Sequence, residues 1–300
     1  MSAVVALPFR IGARTVGQVR RRLVHRPLSL AEALSGVEPV LPPLGEDSDG
    51  YFLTSLPVEA VDRVRSAFPE LRAHVRQRYG RAFVALDCGF EAYLERFSAK
   101  SRSGLKRKVR RFAERSGGSL DLRRYSAPEE MAEFHRHARA VSALTYQERL
   151  LDAGLPEDSL PDMVERASRD EVRGWVLFLN GRPVSYLHAP AEGETLIYAH
   201  LGYDPAAAEL SPGTVLQFEA IRQLMEERRF RLFDFTEGEG QHKSRFATGS
   251  VDCVDLLLLR PRFGNFAAAA SLGVFDASVG AVRNAADRLG LGKLARSLLR

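Results

Sequence analysis

Val172-Arg173-Gly174-Trp175-Val176-Leu177-Phe178-Leu179-Asn180-Gly181-Arg182-Pro183-Val184-Ser185-Tyr186-Leu187-His188-Ala189 reads as two β-strands joined by a two-residue turn. Asn-Gly supplies both positive-φ positions of a type I′ turn, so antiparallel pairing follows. A second turn at Glu192-Gly193 leads into Thr195–Leu201, where Leu196, Tyr198 and His200 fall on one strand face. The three strands predict a meander. After Tyr203-Asp204-Pro205 comes Leu210-Ser211-Pro212-Gly213-Thr214-Val215-Leu216, with Ser at a helix N-cap and Pro at the first helical position. Val215, Phe218, Ile221 and Met225 recur at helical spacing, and the helix ends near Arg228-Arg229. Phe230–Thr236 reads as the next strand, Glu237-Gly238-Glu239-Gly240 as a loop, and Val251–Leu259 as a final apolar strand.

Upstream, Arg81–Asp87 alternates as a short strand, and Val58–Tyr79 is predicted as a helix from Val61, Val64, Phe68, Leu71 and Val75. The sharpest charge run is Lys100–Arg115, where Glu114 is the single acid among Lys100, Arg102, Lys106, Arg107, Lys108, Arg110, Arg111 and Arg115. Leu105, Val109 and Phe112 give it one narrow apolar stripe, and Gly117-Gly118 stops it. Ser126 and Glu129 have capping-box spacing before a helix through Met131, Phe134, Ala138, Val141 and Leu144. The segment from Met1 to Leu30 contains arginines and no acid, and is expected to be a leader lying on the body. Beyond Pro261, an Ala-rich amphipathic stretch reaches Leu289. A basic amphipathic tail follows through Leu294, Leu298 and Leu299. Such a tail suits the protein body, a second subunit in a homodimer, or peripheral contact with an anionic membrane surface.

Composition narrows the function classes. The chain has 300 residues, 45% hydrophobic and 27% charged, with a net charge of +5, and no apolar run is long enough to span a bilayer. Lysine occurs only at positions 100, 106, 108, 243 and 293, so arginine carries most of the positive charge. Cys88 and Cys253 are the only cysteines, which excludes a disulfide framework and fits a reducing cytoplasm. No His-x-Glu or cysteine-pair spacing points to a metal, and Gly-x-Ser-x-Gly is absent, so a nucleophile-elbow hydrolase has no support.

The order strand–strand–strand–loop–helix–strand–strand resembles the cofactor-binding half of a GNAT acyltransferase. Leu210–Leu216, Phe233-Asp234-Phe235-Thr236-Glu237-Gly238, His242-Lys243, Phe246 and the basic helix after Phe97-Ser98 are similar to CelD-type acetyltransferases associated with exopolysaccharide and cellulose synthesis. Fem-type aminoacyltransferases share much of the pattern. The similarity covers about Arg81 to Arg260. It implies an α/β fold with a mixed, largely antiparallel twisted sheet flanked by helices. The expected domains are a leader and helical or partial GNAT-like region at 1–80, the acyltransferase domain at 81–262 and a helical tail at 263–300.

The resemblance further implies acetyl-CoA or another acyl-CoA as co-substrate, with no metal. Its arm would lie between splayed strands and its pyrophosphate at the Ser211-Pro212-Gly213-Thr214 turn, near Leu201. This turn carries one glycine where the wider superfamily carries two small residues, and His242 stands where relatives commonly place Tyr. Lys243 falls on the family's lysine and is expected to stabilise anionic charge. Glu237, Glu239 and His242 crowd a loop at a strand end and are candidates for the base. Asp234 is either site-facing or a buried acceptor for backbone N–H groups. His200, Tyr198 and Tyr186 are further candidates from neighbouring strands. Lys106, Arg107 and Arg110 would dock an anionic acceptor, a small molecule or a glycan carrying phosphate, unless that helix face is simply solvated. Without interleaved aromatics, nucleic acid is not favoured. Two alternatives stand: an aminoacyl-tRNA-dependent transferase of the Fem type, or a degenerate GNAT fold acting as a scaffold.

Overall fold

The computed structural model describes residues 2–11, 14–145, 154–237 and 241–288, with backbone only at 14, 241–242 and 282–288. It divides into two compact units, one of residues 1–80 with 251–300 and one of residues 81–250.

The first unit holds strands β1 (Ala3–Ile11), β2 (Arg14–Pro27) and β3 (Gly50–Pro57), with most of β4 (Arg72–Ala85) and β11 (Gly249–Leu259). Its helices are α1 (Leu30–Ser35), α2 (Val61–Ala67) and α9 (Phe263–Arg288). Its strand order is β1-β2-β3-β11-β4. The arginine-rich start, expected as a leader lying on the body, forms an antiparallel ribbon. Val5, Leu7 and Phe9 alternate toward the core, and Leu7 and Leu23 are buried with Leu257, Leu259 and Leu272. Ser29 opens α1 with a complete capping box to Glu32.

The helix expected over Val58–Tyr79 is a short α2 followed by a strand. Pro69 removes a backbone donor and drives Phe68 out of the helical region, to φ −130° and ψ 62°. Beyond it, Arg72, His74, Arg76 and Arg78 alternate with Ala73, Val75, Gln77 and Tyr79. Leu71 and Val75 are four apart, a spacing that suits a strand's period of two as well as a helix.

The second unit begins with α3 (Phe90–Glu95) and α4 (Ala99–Arg115), then β5 (Asp121–Tyr125), α5 (Met131–Ser142) and α6 (Leu160–Ser168). The meander follows as β6 (Val172–Leu179), β7 (Arg182–Glu192), β8 (Thr195–Ile197) and β9 (His200–Tyr203). The remaining elements are α7 (Pro212–Glu227), β10 (Leu232–Asp234) and α8 (Gln241–Phe246). Strand order is β4-β10-β8-β7-β6-β5, with β9 pairing β7. Only β8 with β10 is parallel among the pairs that follow β10 and the meander. The architecture is the expected α/β type, with a mixed, largely antiparallel sheet flanked by helices. Asn180 and Gly181 take φ 52° and 76°, as the type I′ turn requires.

Two cores cover the faces of this sheet. On one, Trp175, Leu177, Leu187 and Leu196 pack with Val215, Phe218, Ile221 and Leu224 of α7 and with Leu105 and Phe112 of α4. On the other, Val176, Phe178 and Tyr186 pack with Met131, Phe134, Val141 and Met163 of α5 and α6. Each such side chain removed from water contributes about 1.5–3 kcal/mol. The cap of α5 is displaced from the expected Ser126–Glu129 pair: the Glu130 carboxylate accepts from the N–H groups of Ser126 (2.7 Å) and Ala127 (2.9 Å).

Gly202 lets β9 lie against α5. A Cβ there would stand 2.5 Å from Tyr186 Cε1 and 2.8 Å from Thr145 Cγ2, and the Tyr186 ring is held by its hydroxyl. Gly104 in α4 meets nothing within 4 Å. Urea unfolding will therefore separate them: Gly202→Ala is expected to lower stability by about 1–3 kcal/mol. Gly104→Ala is expected to raise it by about 0.5–1 kcal/mol.

Candidate active site

The site forms where two parallel strands stop pairing. Thr195, Leu196 and Ile197 of β8 lie beside Leu232, Phe233 and Asp234 of β10. The Tyr198 N–H then donates to the Asp234 carbonyl at 2.8 Å. Beyond that bond the expected continuous strand Thr195–Leu201 breaks, and β9 pairs with β7 from His188↔His200 to Ser185↔Tyr203. Strand β10 also ends at Asp234, short of the expected Phe230–Thr236, while the Phe235 N–H stays in register with β4 and donates to the Ala82 carbonyl at 3.0 Å. The two chains therefore part after Tyr198. The Tyr198 ring packs on Phe233 and Phe235 at centroid distances of 6.1 and 5.6 Å, and burial raises the pKa of its hydroxyl.

Asp234 anchors one side. It has no exposed surface, and Arg81 donates to it from Nε (3.2 and 3.1 Å) and Nη2 (2.5 Å). Asp234 Oδ1 also accepts the Thr236 N–H at 2.7 Å. Of the two sequence readings, the buried acceptor is the one found, since all these bonds hold the carboxylate inside the fold. Thr236 has φ 60°, a conformation that costs a β-branched residue about 1–3 kcal/mol and needs a surrounding structure to impose it. The turn so formed presents the Glu237 carbonyl, which accepts from Lys243 Nζ at 2.6 Å. Burial lowers the Lys243 pKa, opposed by the negative charges of Asp234 and Glu237. Lys243 is half-buried and Glu237 exposed; Glu239 and the His242 side chain lie outside the described residues.

The N-terminus of α7 forms the other side. Ser211 adopts φ 54° and ψ 49° and makes no side-chain cap. Instead Lys108 Nζ of α4 donates to Ser211 Oγ at 2.8 Å, and the Ser211 carbonyl takes the N–H groups of Thr214 (3.0 Å) and Val215 (3.1 Å). Pro212 has no N–H to donate. Gly213 lies close to β9: a Cβ there would stand 3.2 Å from Leu201 and 3.5 Å from Tyr203. Burial and then the nearby positive charges of Arg245 and Arg107 depress the Lys108 pKa. Lys106, Arg107 and Arg110, expected to bind the acceptor, all face solvent, and Arg110 pairs with Glu114 at 3.6 Å. Lys108 is the residue of that run that reaches the opening. Its position, three after Leu105 and four before Phe112, is on the apolar stripe, and that spacing is the signal that identifies it.

His200 begins β9 opposite His188 of β7, which packs against Phe134 of α5 at 6.0 Å. Burial depresses the His200 pKa, and its ring stacks on His188 at 5.9 Å and 14°. His188 was not singled out by sequence reasoning. It is buried, neither ring nitrogen has a hydrogen-bond partner among the described residues, and burial, then His200, pushes its pKa down to about 3. Tyr186 does not line the opening: it is buried in the α5 core with its hydroxyl donated to Ser142 Oγ at 3.2 Å. Among the described residues, no group of three or more His, Cys, Asp or Glu is placed to hold a metal ion.

The Arg81–Asp234 pair yields a stability prediction. Arg81→Met strands a buried carboxylate and is expected to cost about 3–5 kcal/mol in chemical denaturation. Asp234→Asn, which keeps an oxygen for the Thr236 N–H, should cost less. Equal effects would show that the ion pair is not the controlling term.

Residues 99–244 match the family described as an acetyltransferase (GNAT) domain, the CelD-like one. No curated protein matches the sequence. Among solved structures, the C-terminal domain of a putative lysylphosphatidylglycerol synthetase from Agrobacterium fabrum superposes with a TM-score of 0.53 at 14% identity. That match covers 78% of this chain and 73% of the other. A conserved protein of unknown function from Bacteroides thetaiotaomicron gives 0.52 at 12%, covering 71% of each chain. FemX gives 0.50 at 10%, covering 71% of this chain and 72% of its own. At these identities the likeness is one of fold. Residues 99–244 thus match a GNAT domain model, and the parted strands with the helix that joins them belong to a GNAT-like fold.

Proposed function

We propose that the protein is an acyltransferase that moves an acyl group, acetyl in the simplest case, from acyl-CoA to an amine or hydroxyl of a sugar-containing or other anionic acceptor. The observation that carries this reading is the opening between β9 and β10, with the N-terminus of α7 and Lys108 at one side of it. A helix N-terminus favours anions through its free N–H groups and its dipole, and Lys108 with nearby Arg245 adds positive charge. The pyrophosphate would be held by Lys108, the Gly213 N–H and the hydroxyls of Ser211 and Thr214, with Leu201 beside the arm. The absence of a Cβ at Gly213 keeps this approach open.

The acyl thioester supplies the electrophilic carbonyl. On the protein side, neutral His200 is the proton acceptor for the attacking group, held in orientation by its stack on His188. Lys243 supplies positive charge near the developing negative charge. The exposed face of α4, with Lys106, Arg107 and Arg110, attracts an anionic acceptor.

Calorimetric titration with acetyl-CoA tests the donor site. Wild type is expected to bind, Lys108→Ala to bind about tenfold more weakly, as loss of one charge-assisted hydrogen bond implies. Gly213→Glu is expected not to bind. Absence of wild-type binding at millimolar acetyl-CoA contradicts the proposal.

Acyl transfer has its own signature in pH. Because the His200 pKa lies below the ordinary imidazole value of 6.5, the base remains neutral through that pH, and kcat is expected to fall only on further acidification. His200→Ala is expected to lower kcat by about 10²–10⁴ and to remove this acid limb. An unchanged acid limb in the variant assigns the proton transfer to another group.

A further inference from the structure

Helix α9 in the first unit packs one face and leaves the other bare. Ala268 and Leu272 are buried, and Phe275 meets Phe9 edge-on at 5.1 Å. The helix start is fixed by Asn265, whose Nδ2 donates to the carbonyls of Asp49 (3.4 Å) and Arg260 (3.1 Å), and by Arg21, which donates to the Gly264 carbonyl. Opposite this packed face, Phe263, Phe266, Ala270 and Val274 follow one another at spacings of three and four. Phe263 is 89% exposed, Phe266 74% and Val274 69%. Exposed phenylalanines in series on a well-anchored helix are not what a freely solvated face requires.

The surroundings of this stripe say what suits it. A groove of about 840 Å³ runs beside it, and none of the residues lining the groove is acidic. Its charged lining residues are Arg72, Arg260 and Arg262. Arg260 donates to the Glu46 and Gly45 carbonyls, both at 3.1 Å, and Arg262 donates to the Glu46 carbonyl at 3.2 Å and lies 3.7 Å from the Asp49 carboxylate. Only that last contact offsets charge; carbonyl partners fix the guanidinium groups and leave them positive. His74 also lines the groove, and burial with the neighbouring Arg76 lowers its pKa, opposed by Asp276, which itself pairs with Arg76 at 3.1 Å.

We propose that this face of α9 is a peripheral docking surface for an anionic lipid bilayer. Phe263 and Phe266 enter the boundary between headgroups and acyl chains, Ala270 and Val274 extend the contact, and Arg72, Arg260 and Arg262 meet lipid phosphates. The combination is the one interfacial helices use: an apolar stripe for burial and flanking cations for charge. The mode is superficial, since no described helix is long and apolar enough to cross a membrane.

Vesicle co-sedimentation of the full chain tests it, using phosphatidylcholine alone or phosphatidylcholine mixed with an equal amount of phosphatidylglycerol. Wild type is expected to sediment with the mixed vesicles, less as salt is raised. Phe263→Ser/Phe266→Ser is expected to lower the partition coefficient at least tenfold, as loss of two inserted aromatic rings implies. Arg260→Gln/Arg262→Gln is expected to remove the preference for phosphatidylglycerol. Val37→Ser, at another exposed valine, should leave binding unchanged, and circular dichroism melting of each variant checks its fold. Three results overturn the proposal: no sedimentation of wild type, undiminished binding by the folded phenylalanine variant, or a solution dimer that this variant dissociates. The last would mean that a second copy of the chain covers the face.

Discussion

The Asp234 carboxylate lies between the Arg81 guanidinium and the Thr236 N–H with no surface open to water. In such surroundings a charge is tolerable only when paired and hydrogen-bonded, so these partners are mutually obligatory. Their geometry sets that of the site. Arg81 stands at the start of the part of β4 that pairs with β10, where Phe83 lies opposite Asp234. The Asp234 carbonyl takes the last N–H of the β8 side before the strands part. Its carboxylate holds Thr236 in a left-handed conformation that would otherwise relax. One side chain thus fixes where the opening begins and the direction in which the chain leaves it toward Lys243.

The opposite side is organised by charge and close approach. A serine before a helix ordinarily caps it; here Ser211 is turned into the αL region and its hydroxyl accepts from Lys108. That exchange couples α4 to the α7 N-terminus and brings an ammonium group where the helix already favours anions. Both features would be electrostatically costly around an empty apolar slot and are favourable around a phosphate. Ser211 and Thr236, two of the six non-glycine residues at positive φ among the described residues, stand on either side of the opening.

Much of the architecture was legible because local signals agreed. Asn180-Gly181 fixed the β6–β7 register, Gly117-Gly118 ended α4, and Ser211-Pro212 marked the start of α7. Other features depend on partners distant in sequence. Nothing local breaks Thr195–Leu201 at Tyr198; the break is a one-residue shift in register against β7, from Ala191↔Leu196 in β8 to His188↔His200 in β9. The ribbon of β1 and β2 carried a period-two pattern in Val5, Leu7 and Phe9 that its arginine content obscured. Val58–Tyr79 reads as one helix in sequence because a spacing of four satisfies both periods. At the site, counting charges pointed to Lys106, Arg107 and Arg110, which face water, whereas the stripe through Leu105 and Phe112 picks out Lys108. His188 gave no signal in sequence, since its place beside His200 comes from strand register.

The claim at the centre of this account is that acyl-CoA occupies the opening between β9 and β10. Hydrogen–deuterium exchange with and without acetyl-CoA addresses it directly. The account predicts slower exchange in three separate segments: Gly202–Tyr203, Gly213–Leu216 and Phe235–Glu237. Slowing confined to other segments, or no change at saturating acetyl-CoA, would contradict it.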